Sequence, residues 1–180
     1  MNHQYLQQVL WSLTIFLSSF NYQKLIPNLP EIPTLKLTYL SQSNTVDSPY
    51  NEMEQSVFNY VNQHRNSQNL PTLQWNYTIA EQAKIHAQQM ASGQTTFSNN
   101  GFKERVEIIS EKIPYKSAAE NIAEEEKNGY NDPVRKAVVG WINSPEHRQN
   151  MEGDYNLTGV GIAQSSDGTY YFNQMFIKTR

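Results

Sequence analysis

The stretch Leu157–Ile177, "LTGVGIAQSSDGTYYFNQMFI", decides the fold class. Two runs rich in apolar and aromatic residues, "LTGVGIAQ" and "TYYFNQMFI", flank "SSDG". Asp167-Gly168 is turn chemistry, because glycine enters the positive-φ region without steric cost. The stretch therefore reads as an antiparallel hairpin. Side chains alternate across a strand, so Phe172, Gln174 and Phe176 share one face of its second arm. A polar amide then sits among aromatics.

Upstream, the period changes from two to that of a helix. Met53, Val57, Tyr60, Val61 and His64 recur at helical spacing over about 51–66. "NLPTLQW" at 69–75 breaks the pattern and leaves a short extended piece. A second helix is expected over about 78–92, with Ile79, Ala83, Ala87 and Met90 as its apolar stripe. Thr78 and Glu81 have capping-box spacing. "GFKERVEII" at 101–109 suits a short helix, and "AAENIAEEE" at 118–126 a strand beginning near Glu120. Asp132 and Pro133 start another helix, with Val134, Val138, Trp141 and Ile142 facing inward. Helices around a small antiparallel sheet make an α+β domain.

The 180 residues carry a net charge of −3 and are 38% hydrophobic, enough for one domain with a real core. Lys and Arg are scattered, so no basic stripe points to nucleic acid. With no cysteine, disulfides, thiolate catalysis and Cys-ligated zinc are excluded. The N-terminal run "VLWSLTIFLSSF" at 9–20 is uncharged and too short for a span of about 20 residues. Residues 1–20 are read as an export signal or a membrane-proximal apolar segment, although no Lys or Arg precedes the run. Residues 21–50, with four prolines in a polar background, read as a linker, and 51–180 as the folded domain.

Few residues stand out chemically. His64 and His86 fall near apolar helix faces and are expected as buried, hydrogen-bonded histidines. In "GWINSPEHRQN" at 140–150, Ser144 is placed to cap a helix, Pro145 suits its first position, and His147 lies in its first turn. That imidazole is a candidate ligand or base, or simply a local hydrogen-bonding group. Glu120 lies in a weakly polar stretch, where an acid becomes buried and paired. Glu124-Glu125-Glu126 reads as a solvated acidic turn. There is no nucleophile elbow, HExxH, phosphate-binding loop or EF-hand loop.

Five segments, in order over about 55–177, resemble the CAP domain of cysteine-rich secretory proteins, antigen 5 and pathogenesis-related 1 proteins. They are "VNQHRNSQNLPTLQWNYTIAEQAKIHAQQMAS", "FSNNGFKERV", "AAENIA", "GWINSPEHRQNM" and the terminal hairpin. The likeness is to the cysteine-free bacterial branch. It implies an α-β-α sandwich with a central groove, lined in the family by two histidines and two acids that can hold a divalent metal such as zinc. By this resemblance Glu120 matches the acid of the Glu-Asn motif, and His147 the second histidine. Asn99 stands where the first histidine belongs, and Asn143 and Ser144 where the other acid falls. An amide is a poor zinc ligand beside imidazole. The resemblance therefore implies that His147 and Glu120 hold no metal tightly, and no cofactor is expected. In place of a metal, Asn99, Glu120, His147, Ser144 and Gln174 would line a hydrogen-bonded polar groove.

Three functions follow as expectations. The first is a secreted or surface-tethered binding module for a small molecule, lipid or peptide. The second is a hydrolase with His147 as base and Glu120 as its orienter. The third is a structural protein in contact with the cell envelope.

Overall fold

The computed structural model describes residues 49–126 and 132–180. The expected signal at 1–20 and nearly all of the linker at 21–50 lie outside the described residues. Nine elements follow in order: α1 (Asn51–Ser67), β1 (Gln74–Trp75), α2 (Tyr77–Ala91), α3 (Phe102–Ser110), β2 (Tyr115–Glu125), α4 (Pro133–Asn143), α5 (Pro145–Glu152), β3 (Leu157–Gln164) and β4 (Tyr170–Thr179). The sheet order is β1-β3-β4-β2. It is not wholly antiparallel, because the two-residue β1 joins β3 in parallel.

The hairpin forms where its alternation placed it. β3 and β4 pair antiparallel with Val160 opposite Gln174 and Ile162 opposite Phe172. Its loop spans five residues and is closed by Ser165 N donating to Thr169 O, with Gly168 at φ 93°. Strand alternation then divides the core in two. Phe172 and Phe176 pack with Val57, Val61, Val138 and Trp141 beneath α1, α4 and α5. Met175 and Ile177 pack with Ile79, Ala83, Val106 and Ile109 beneath α2 and α3. This is the expected α-β-α sandwich.

β2 begins at Tyr115, five residues before the expected start, because Ala118 and Ala119 pair with Ile177 and Phe176. Those alanines carry little β-propensity, and the partner strand decides their conformation. The second correction concerns α2. Asn76, not Thr78, caps it, accepting from Ile79 N. The packing of α2 on the sheet is unusually close. A Cβ on Gly159 or Gly161 would overlap the backbone of Ala80 or Lys84. Only glycine permits that approach.

α4 starts as read: Asp132 accepts from Val134 N and Arg135 N ahead of Pro133. Ser144 is both the C-cap of α4 and the N-cap of α5, but its hydroxyl makes no capping bond. Arg65, 2% exposed, locks α5 to α1 by donating to the carbonyls of Pro71, Met151, Gly153 and Tyr155. No helix among the described residues is long and apolar enough to cross a membrane.

Candidate functional site

β2 carries consecutive polar residues, Glu120 and Asn121, into opposite faces of the sheet. Glu120 pairs in register with Met175 and therefore shares the face of α2 and α3. Asn121 pairs with Gln174 and shares the face of α4 and α5. Two separate polar centres result.

On the α2–α3 side, Glu120 is 4% exposed and meets Arg105 of α3 side-on. Arg105 donates from Nε to Oε1 at 3.0 Å and from Nη2 to Oε2 at 2.8 Å. Asn173 Nδ2 adds a third bond to Oε1 at 2.9 Å. The remaining guanidinium nitrogen, Nη1, donates to Asn100 O at 2.9 Å. Both carboxylate oxygens are thus engaged by fixed donors, the geometry in which a buried charge is tolerated.

His86 of α2 lies in the field of this pair. Its Nε2 bonds Ser98 O at 2.8 Å, which makes Nε2 the protonated nitrogen in the neutral ring. Burial first, and the Arg105 charge second, lower its pKa, against the opposing pull of the Ser98 carbonyl and Glu120. The neutral ring leaves Nδ1 as an acceptor with the Gln89 side chain nearby, and among the described residues neither Nδ1 nor Asn173 Oδ1 has a hydrogen-bond partner of good geometry.

On the other side, Asn121 Nδ2 donates to the backbone oxygen of His147 at 3.0 Å. Asn150 of α5 donates to Asn121 Oδ1 at 2.9 Å and to Glu120 O at 3.2 Å. Trp141 Nε1 donates to Ile122 O at 2.9 Å. Side chains of α4 and α5 therefore satisfy outward carbonyls of β2, an edge strand that would otherwise invite another chain to pair. Gln174 donates to Thr158 Oγ1 at 3.1 Å, deep in the aromatic core.

The residues singled out from sequence are thus dispersed. Glu120 is at the centre of a cluster, but Asn99 is exposed and, among the described residues, offers only its backbone oxygen, to Phe102 N. The His147 side chain is half-buried and makes no hydrogen bond or ion pair among the described residues. Ser144 acts through its backbone. The expected cluster of Asn99, Glu120, His147 and Gln174 has no hydrogen bond between its members. The actual hydrogen-bond partners of Glu120 are Arg105 and Asn173, with His86 in the field of the pair. Asn173 was legible: it is the neighbour of Gln174 that alternation turns toward the other face.

His64 bonds Glu152 Oε1 at 2.8 Å, a link between α1 and α5. Glu124, Glu125 and Glu126 line an open cleft of about 370 Å³ with Lys136, Thr169 and Tyr171. Lys136 lies 3.4 Å from Glu125.

A divalent metal fits poorly here. Glu120 has both oxygens committed, and an added cation would face the Arg105 charge beside it. Among the described residues, no three His, Asp or Glu side chains converge.

A model of the cysteine-rich secretory protein family, CAP, matches residues 58–176. The uncharacterized membrane protein YlbC of Bacillus subtilis is 31% identical over 131 residues, covering 69% of this chain. The chain spans only 34% of that relative's length. An extracellular protein of Bacillus anthracis containing an SCP domain superposes with a TM-score of 0.55 at 28% identity, over 77% of this chain and 45% of that one. An outer surface protein of Borrelia burgdorferi has the same fold, with a TM-score of 0.61 at 20% identity, over 74% of this chain and 97% of that one.

Proposed function

The chain belongs to the cysteine-rich secretory protein family, CAP, and from that premise we propose that it is a non-enzymatic binding or interaction module working outside the cell or at its envelope. The observation that carries the non-enzymatic reading is the state of Glu120. A general base or orienter needs its carboxylate within reach of the reacting group or its partner imidazole. Arg105 and Asn173 donate three hydrogen bonds to the Glu120 oxygens and Arg105 offsets its charge, and the carboxylate lies on the α2–α3 face while α5, with His147, packs on the other. Glu120 then orders the loop before α3 rather than a reaction. Support for the location comes from the B. anthracis relative, which is extracellular and the more similar of the two solved proteins in sequence.

The ligand class proposed is a lipid, peptide or small molecule. The test incubates the full chain with lipid vesicles, a peptide library and cell-wall fragments, alongside a broad peptidase panel. Binding without turnover, retained in His147→Ala, is the expected result. Turnover abolished by both His147→Ala and Glu120→Gln, with the fold intact, overturns the proposal.

A further inference from the structure

Asn100 and Gly101 form an Asn-Gly pair whose peptide is held by a buried cation. Both residues are exposed, at the tip of the loop ahead of α3. Gly101 holds φ 77°, and its N–H donates to no acceptor among the described residues. The carbonyl oxygen of the same peptide accepts from Arg105 Nη1 at 2.9 Å. That guanidinium cannot swing away, because its other nitrogens are clamped by buried Glu120. A Cβ at position 101 would lie 3.0 Å from Nη1, so glycine also leaves room for the approach.

We propose that Asn100 is a self-modification site, converting to aspartate and isoaspartate through a cyclic imide whose formation Arg105 promotes. A solvent base removes the Gly101 amide proton. The nitrogen attacks Cγ of Asn100 and the new N–Cγ bond closes the imide. The bond from Cγ to Nδ2 breaks, and ammonia leaves. Water then opens the ring at Cγ to give aspartate, or at the backbone carbonyl to give isoaspartate. The deprotonated peptide shares its negative charge with Asn100 O, the atom Arg105 already bonds. A preorganised, charge-assisted donor on a developing oxyanion accelerates the step that forms it. The product carries a carboxylate beside Arg105 that competes with Glu120. Isoaspartate also adds a methylene to the backbone and displaces the carbonyl that Arg105 holds. The same loop carries Ser98 O, the acceptor of His86, so the modification loosens both ties of this segment.

The test ages the full chain in mildly alkaline buffer, folded and in urea, and maps the peptides by mass spectrometry, with isoaspartate-specific labelling. Mapping separates Asn100 from the Asn128-Gly129 pair. Asn100 is expected to react roughly ten- to a hundredfold faster in the folded chain, the rate worth of one charge-assisted hydrogen bond. Asn100→Gln abolishes the product. Arg105→Gln, checked for folding by circular dichroism, brings the rate down to that of the unfolded chain. If that variant does not fold, the folded-against-urea ratio decides alone. A folded rate equal to or below the unfolded one overturns the proposal.

Discussion

Glu120 and Arg105 show what a buried ion pair does for one loop. Both are desolvated, and side-on geometry with a third donor from Asn173 offsets that cost. Removing one partner leaves the other charge uncompensated. Glu120→Ala is expected to cost about 3–5 kcal/mol in urea unfolding. An unchanged midpoint would show that the pair is solvated. His86 supplies the pH dependence of this centre. Burial and Arg105 hold its folded pKa below the unfolded value of about 6.5. Above that value both states carry a neutral ring, and its contribution is complete. As pH falls below it toward the folded pKa, the unfolded chain takes up the proton first and stability is lost. Unfolding followed from pH about 7.5 to 5 should show this slope, and His86→Gln should flatten it. Equal slopes in the two proteins would place the titration elsewhere.

At the level of elements, the caps separate cleanly. Asp132 and Asn76 form side-chain bonds to helix amides, and Ser144 does not. Asp132→Ala and Asn76→Ala are each expected to cost about 1 kcal/mol, whereas Ser144→Ala stays within about 0.5 kcal/mol. Thermal melts of the three variants test the contrast, and a large loss at Ser144 would reverse it. Asp132 is legible as a cap from the sequence, whereas capping-box spacing points to Thr78 rather than Asn76. Both residues have capping chemistry, and only the direction in which β1 enters α2 selects between them. Gly159 and Gly161 belong to this scale as well. A methyl at either must push α2 off the sheet, with a cost of at least about 1–3 kcal/mol for each Gly→Ala change. Wild-type stability of either variant would mean that the helix rides higher than the structure places it.

For the whole molecule, the sheet works as a partition. It keeps the polar centre of Glu120, Arg105, His86 and Asn173 on one side and the cap network of Asn121, Asn150 and Trp141 on the other. A metal bridging His147 and Glu120 would have to join groups that this partition divides and displace Arg105 as well. Zinc titrated calorimetrically into the metal-free protein should show no sub-micromolar site. A tight site lost in His147→Ala would refute the partition as the relevant geometry.

The local signals determined much of this protein without help. Alternation with Asp167-Gly168 specified the hairpin, helical spacing specified α1 and α2, and Asp132-Pro133 specified the start of α4. Each depends on interactions within a few residues along the backbone. The order of five motifs points to the family, and the weakly polar stretch around Glu120 points to a buried, paired acid. The composition of the site was a different matter. Glu120 meets Arg105, fifteen residues away, and Asn173, fifty-three away. These pairings depend on β2 lying beside β4 in one register and on α3 crossing beneath them. A slip of one residue would bring Gln174 to Glu120 in place of Asn173. That register is set by packing on both faces of the sheet at once, so only the tertiary structure decided which polar residues share a site.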